Sequence, residues 1–106
     1  MIIQFKGVIR TYNPENELSP FIEELQMKLT ENTIYLCELD FSELVYCNSN
    51  GFYSLLDIIN TVYNKTDCPI TIRRLTNDDW HYEILPILLN LDDRYIAERI
   101  SFMEVS

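Results

Sequence analysis

The chain has 106 residues, 47% of them hydrophobic, and a formal net charge of −9. That apolar content supplies one core and argues against disorder, the length leaves no room for a second, and the acidic surface argues against nucleic acid and favours a basic protein partner or simple solubility. No stretch reaches the ~20 apolar residues of a membrane span, no signal peptide is read, and three cysteines without a close pair in sequence point to reduced thiols, so a cytoplasmic domain is expected.

In chain order, the Ile-, Val- and Phe-rich run from Ile2 to about Ile9 reads as a strand, with Gly7 permitting a bulge or close approach. Residues 12–18 read as a loop, because Asn13-Pro14 is a turn signal. Ser19-Pro20 then starts a helix with Leu18, Phe21, Ile22, Leu25 and Leu29 on one face, and Thr30-Glu31-Asn32 ends it. Residues 33–41 are rich in strand formers and predict a buried central strand. A short apolar bridge and a polar loop follow. Phe52, Leu55, Leu56, Ile59, Val62 and Tyr63 then recur at helical spacing.

Residues 69–74 read as the next strand, with Pro69 at its tolerated first position, which completes a βαβ unit with a right-handed crossover and a parallel pair. Asp78 and Asp79 precede a helical region in which Trp80, Ile84, Leu85, Leu88 and Leu91 face inward. Pro86 divides it into a turn over 79–83 and a short helix to about residue 91. Asp92-Asp93-Arg94 reads as a turn and residues 96–103 as the last strand. The expected architecture is one α/β domain over residues 1–106, a sandwich of a mixed β-sheet of about four strands with helices packed mainly on one face.

The block from Leu39 to Phe52, L-D-F-S-E-L-V-Y-C-N-S-N-G-F, stands out because it places three small polar residues and one of only two glycines at a helix start. It resembles, in register and without a gap, the signature of STAS domains (sulfate transporter and anti-sigma-factor antagonist), L-D-L-S-x-V-x-F-I-D-S-S-G-L. Within that superfamily it is most similar to a small single-domain branch with an L-N-S-S-G loop. The branch's F-x-G-x-L-R strand resembles the run from Phe5 to Arg10, and Trp80 resembles its helix-opening Trp. The resemblance covers nearly the whole chain.

It implies a regulatory, non-enzymatic module of bacterial signalling that docks an anti-sigma-factor-like serine kinase or a phosphatase. The contact residues would be Asn48, Ser49, Asn50, Gly51, Phe52 and Tyr53. In the proteins resembled, the Ser before the Gly takes a phosphate that ends binding. Here that position is Asn50, and Asn48 replaces the usual Asp. Three readings follow: a binder with no switch at Asn50, a chain in which Ser49 has become the phosphoacceptor, or a loop whose polar residues only cap the helix. Two other functions stay open, a sensor of a small anionic ligand or nucleotide at the helix start and a structural oligomerisation domain with an open sheet edge.

The remaining candidates read as structural. His81 is the sole histidine and reads as a surface or packing residue, not a general base. Cys37, Cys47 and Cys68 lack metal-ligand spacing, and Cys37 and Cys47 read as buried and inert. Asp40, at the end of the central strand, is placed to bond loop backbone. Arg73-Arg74 ends a strand near the polar loop, either as an anion site or as a charge-balancing pair. No phosphate-binding or nucleophile motif is present, and neither a cofactor nor a metal is expected.

Overall fold

The computed structural model describes the backbone of residues 1–9 and 14–105, and their side chains except at residues 9 and 14–18. Its elements run β1 (Ile2–Ile9), α1 (Pro14–Glu31), β2 (Cys37–Cys47), α2 (Ser49–Lys65), β3 (Ile70–Leu75), α3 (Asp79–Glu83), α4 (Leu85–Leu88), α5 (Arg94–Arg99) and β4 (Ile100–Val105). The four strands form one sheet in the order β1-β2-β3-β4. This is the expected α/β sandwich, with one refinement: all three strand pairs are parallel, so the sheet is not mixed. Each connection carries at least one helix, which is what a parallel neighbour requires.

The sheet's two faces differ in chemistry. Leu39 is in register with Ile3, Ile72 and, through Ile72, Phe102, and these side chains meet the helices. Leu39, Phe41, Ile59, Val62, Ile70 and Ile72 have no accessible surface. Burying each Leu, Ile or Phe is worth about 1.5–3 kcal/mol. Phe5 stacks on Phe41 at 4.7 Å between ring centroids. On the opposite face the register brings Gln4, Asp40, Arg73 and Met103 into one row. There Arg73 pairs with Glu38 at 3.8 Å and Asp40 at 3.7 Å, and Gln4 Nε2 donates to Asp40 at 3.3 Å. A parallel sheet is normally covered on both faces. The charged row lets this one present its second face to water.

Several boundaries depart from the sequence reading. Residues 79–83, expected as a turn, form α3, and the short helix expected to reach about residue 91 ends at Leu88. α1 begins at Pro14, so residues 14–18 are helical and Pro20 lies inside the helix; residues 12 and 13 fall outside the described residues. Pro14 occupies the first helical position, where its missing N–H has no intrahelical partner to lose. β2 starts at Cys37 and runs on to Cys47, so residues 33–36 lie before the strand and the apolar bridge is itself strand. The turn at Asp92 and Asp93 leads into α5, because Asp93 Oδ1 accepts the N–H groups of Tyr95 and Ile96. β4 accordingly starts at Ile100, not at residue 96. No helix among the described residues is long and apolar enough to cross a membrane.

Candidate functional site

The loop is delivered by β2, the longest strand. Its register with β1 shifts twice: Phe41 and Ser42 together oppose Phe5, and Val45 is an extra residue between Leu44 and Tyr46. The first shift is held by Asp40, whose Oδ1 accepts the Ser42 N–H at 2.9 Å and the Ser42 hydroxyl at 2.6 Å. Asp40 therefore bonds backbone as expected, but within the strand and not in the loop. The second shift faces Gly7, whose φ of 68° is a left-handed value that suits glycine. No atom lies within 4 Å of a Cβ built there, so the residue is needed for its backbone angle and not for close approach.

β2 ends at Cys47, and Asn48 becomes the N-cap of α2. Its Oδ1 accepts the Gly51 N–H at 2.7 Å, and its carbonyl accepts the Phe52 N–H at 2.9 Å. Asn48 is thus the residue that caps α2, and Ser49 is the helix's first residue. Ser54 Oγ donates to the Asn50 carbonyl at 3.1 Å and tightens the same turn. Ser49 is exposed, Asn50 and Phe52 are half-buried, and Tyr53 is 61% exposed. Gly51 is buried, so its part is to let the first turn pack and not to form a surface contact.

An open depression of about 320 Å³ lies at this helix start. It is lined by Cys47, Asn48 and Ser49 at the end of β2 and the start of α2, by Phe52 and Tyr53 from the first turns of α2, and by Trp80 and Ile84 from α3 and its C-terminal end. Phe52 and Tyr53 meet edge to face at 6.3 Å. The sequence reading placed Trp80 and Ile84 inward. Trp80 does pack partly on the core and Ile84 is half-buried, yet both also wall this depression. The signal available was topological: parallel β2 and β3 bring the segments after them, α2 and α3, to one sheet edge, where α/β folds place their ligands. A larger depression of about 470 Å³ beside α1 is lined by Glu23, Gln26, Met27, Thr30, Glu31 and Lys65 and gathers no aromatic side chain.

Beneath Trp80 sits His81, with no accessible surface. Its Nδ1 accepts the Leu75 N–H at 2.8 Å, which places the proton of a neutral ring on Nε2. Nε2 is buried and makes no hydrogen bond. Asp78 Oδ1, the cap of α3, accepts the His81 N–H at 3.2 Å. His81 is therefore a packing residue that ties α3 to the end of β3.

Arg73 and Arg74 point to opposite faces, and both are engaged. Arg73 joins the open-face pairs described above. Arg74 Nε binds Glu104 at 2.7 Å, and its guanidinium lies 4.2 Å from the Tyr82 ring centroid and 3.9 Å from that of Phe102. The charge-balancing reading of this pair is the one the geometry supports. Cys37 is buried, and burial, with Cys68 beside it, pushes its thiol up to about 11; burial also raises Cys47. Among the described residues no group of three His, Cys, Asp or Glu side chains converges to hold a metal ion.

Comparison with known protein families, with curated proteins and with solved structures returns no match for this chain.

Proposed function

We propose that this chain is a cytoplasmic, non-enzymatic regulatory binding domain, similar in its central block to anti-sigma-factor antagonists. It docks a partner protein, of the serine-kinase or anti-sigma-factor type or a phosphatase, through Asn48, Ser49, Asn50, Phe52 and Tyr53 around the buried Gly51. The observation that carries the reading is the depression at the start of α2. The residues of the resembled block end there beside the exposed Tyr53 and the wall formed by Trp80 and Ile84. Aromatic side chains half-sunk at an open rim supply contact area at low cost in side-chain entropy.

Asn50 has no hydroxyl, so the domain stays in its binding state unless Ser49 accepts the phosphate. Ser49 is exposed at the first helical residue, where a phosphate is favoured by the helix dipole and would add about −1.5 to −2 charges to the rim. Ser49→Asp is then expected to weaken docking.

The test is capture from the lysate of the native host with wild type and with Asn50→Arg as baits, followed by identification of the captured protein. A kinase-like or phosphatase partner held by wild type and lost with a folded Asn50→Arg supports the reading. Equal capture by both removes the site assignment.

A further inference from the structure

We infer that what seats in the depression is an apolar or aromatic side chain carried on a Lys/Arg-rich segment of the partner protein. The inference rests on the docking reading of the same site and names the chemistry of the occupant.

Charge is distributed unevenly along the chain. Residues 44–64 and 75–93 cover the end of β2, α2 short of its last residue, and α3 and α4 with the turns around them. Together they contain Asp57, Asp78, Asp79, Glu83, Asp92 and Asp93 and not one Lys or Arg. Asp57 lies one helical turn beyond Tyr53 on α2. Asp79 and Glu83 stand in α3, the helix that carries Trp80. All three are exposed. The nearby Arg74 does not offset them, because Glu104 and the Tyr82 and Phe102 rings already hold it.

The depression thus combines aromatic and aliphatic lining from Phe52, Tyr53, Trp80 and Ile84 with chain segments that carry acids and no Lys or Arg. Apolar walls reward an apolar anchor by burial, and a one-sign surround steers an oppositely charged segment and repels a like one. A nucleotide or other phosphate would meet the helix start favourably but would have to approach through this acidic field. The same field disfavours an anionic lipid surface. A basic peptide segment with one buried anchor satisfies both halves of the site.

Trp80 is the sole tryptophan of the chain and walls the depression, so its fluorescence reports occupancy directly. The 106-residue chain is titrated with three short synthetic peptides that share a central Leu-Phe pair, flanked by Lys and Arg, by Glu and Asp, or by Gly and Ser. The Lys/Arg peptide is expected to shift Trp80 emission saturably, more weakly as salt is raised, with the Glu/Asp peptide silent and the Gly/Ser peptide weak. The double variant Asp57→Lys/Glu83→Lys is expected to lose about tenfold in affinity. The matched pair Glu23→Lys/Glu31→Lys, carrying the same charge change on α1, is expected to lose little. Tyr53→Ala is expected to weaken binding as well.

Equal responses to all three peptides overturn the charge half of the inference. Binding of the Lys/Arg peptide that leaves Trp80 unmoved, or that survives Tyr53→Ala, overturns the anchor half. Silence from all three overturns the inference as a whole. Partner capture that is still lost with Asn50→Arg would then show that the docking surface stands and only the partner's chemistry was misread.

Discussion

The two ends of α2 solve opposite problems. At its C-terminal end Arg99 closes the helix: its guanidinium donates to the carbonyls of Cys68 at 3.1 Å and Tyr63 at 3.4 Å and to Thr66 Oγ1 at 2.9 Å. Thr66 in turn returns its hydroxyl to the Val62 carbonyl at 2.7 Å and is itself buried. A cation set against the last carbonyls also suits the helix dipole. At the N-terminal end one side-chain cap, Asn48, serves the helix, no acid stands in the first turn, and Tyr53 projects into water. One end is bound for stability. The other leaves polar and aromatic groups in reach of a second molecule.

The comparison breaks first at Arg99. Arg99→Ala removes three hydrogen bonds from a charged donor and is expected to cost about 2–3 kcal/mol in urea unfolding. Partner capture should be unchanged wherever the variant is folded. His81→Ala sets a limit to the contrast, because the docking end rests on one structural side chain. Losing the bond to Leu75 N–H and leaving a cavity under Trp80 is expected to cost about 2–3 kcal/mol. Asn48→Ala is expected to cost about 1 kcal/mol through the lost cap, with Asn48→Asp near neutral because Asp caps as well. Tyr53→Ala is expected to change stability by less than about 0.5 kcal/mol while reducing partner binding. A loss of stability with no loss of binding there would reverse the assignment of the two ends.

Alkaline pH probes the core near the C-terminal end of α2. The Cys37 thiol is raised from 9.0 to about 11 by burial first and by Cys68 second. A raised pKa favours the protonated form in the folded state. The stabilisation is therefore fully present below the unfolded value and is lost as pH rises from about 9 through about 11. Tyr63, whose hydroxyl donates to the Leu89 carbonyl at 2.8 Å, is raised in the same direction, chiefly by burial. Urea midpoints should fall across that window, and less so in Cys37→Val.

The strand and helix order was readable because most elements bury one clear stripe. α2 shows it best, with Leu55, Ile58, Ile59 and Val62 inside and Tyr53, Asp57 and Asn60 outside. What was hidden has physical causes. β2 beyond Phe41 loses its two-residue alternation because each register shift changes which face the next side chain meets, so Leu44 is buried while Val45 and Tyr46 are exposed. α5 buries no residue, so its Tyr-Ile-Ala core carried strand propensity without a helical stripe. Its cap, Asp93, was the one local sign. The loop side of the depression was legible as a polar helix start from Asn48 to Tyr53. The wall was not, because Trp80 and Ile84 arrive there only through the parallel pairing of β2 with β3.

The most direct test of a docking edge at the start of α2 is the affinity of the captured partner for wild type and for Asn50→Arg, each carried through the same urea transition. The account predicts unfolding midpoints that agree and binding that is lost in Asn50→Arg. Equal affinities at equal stability would contradict it.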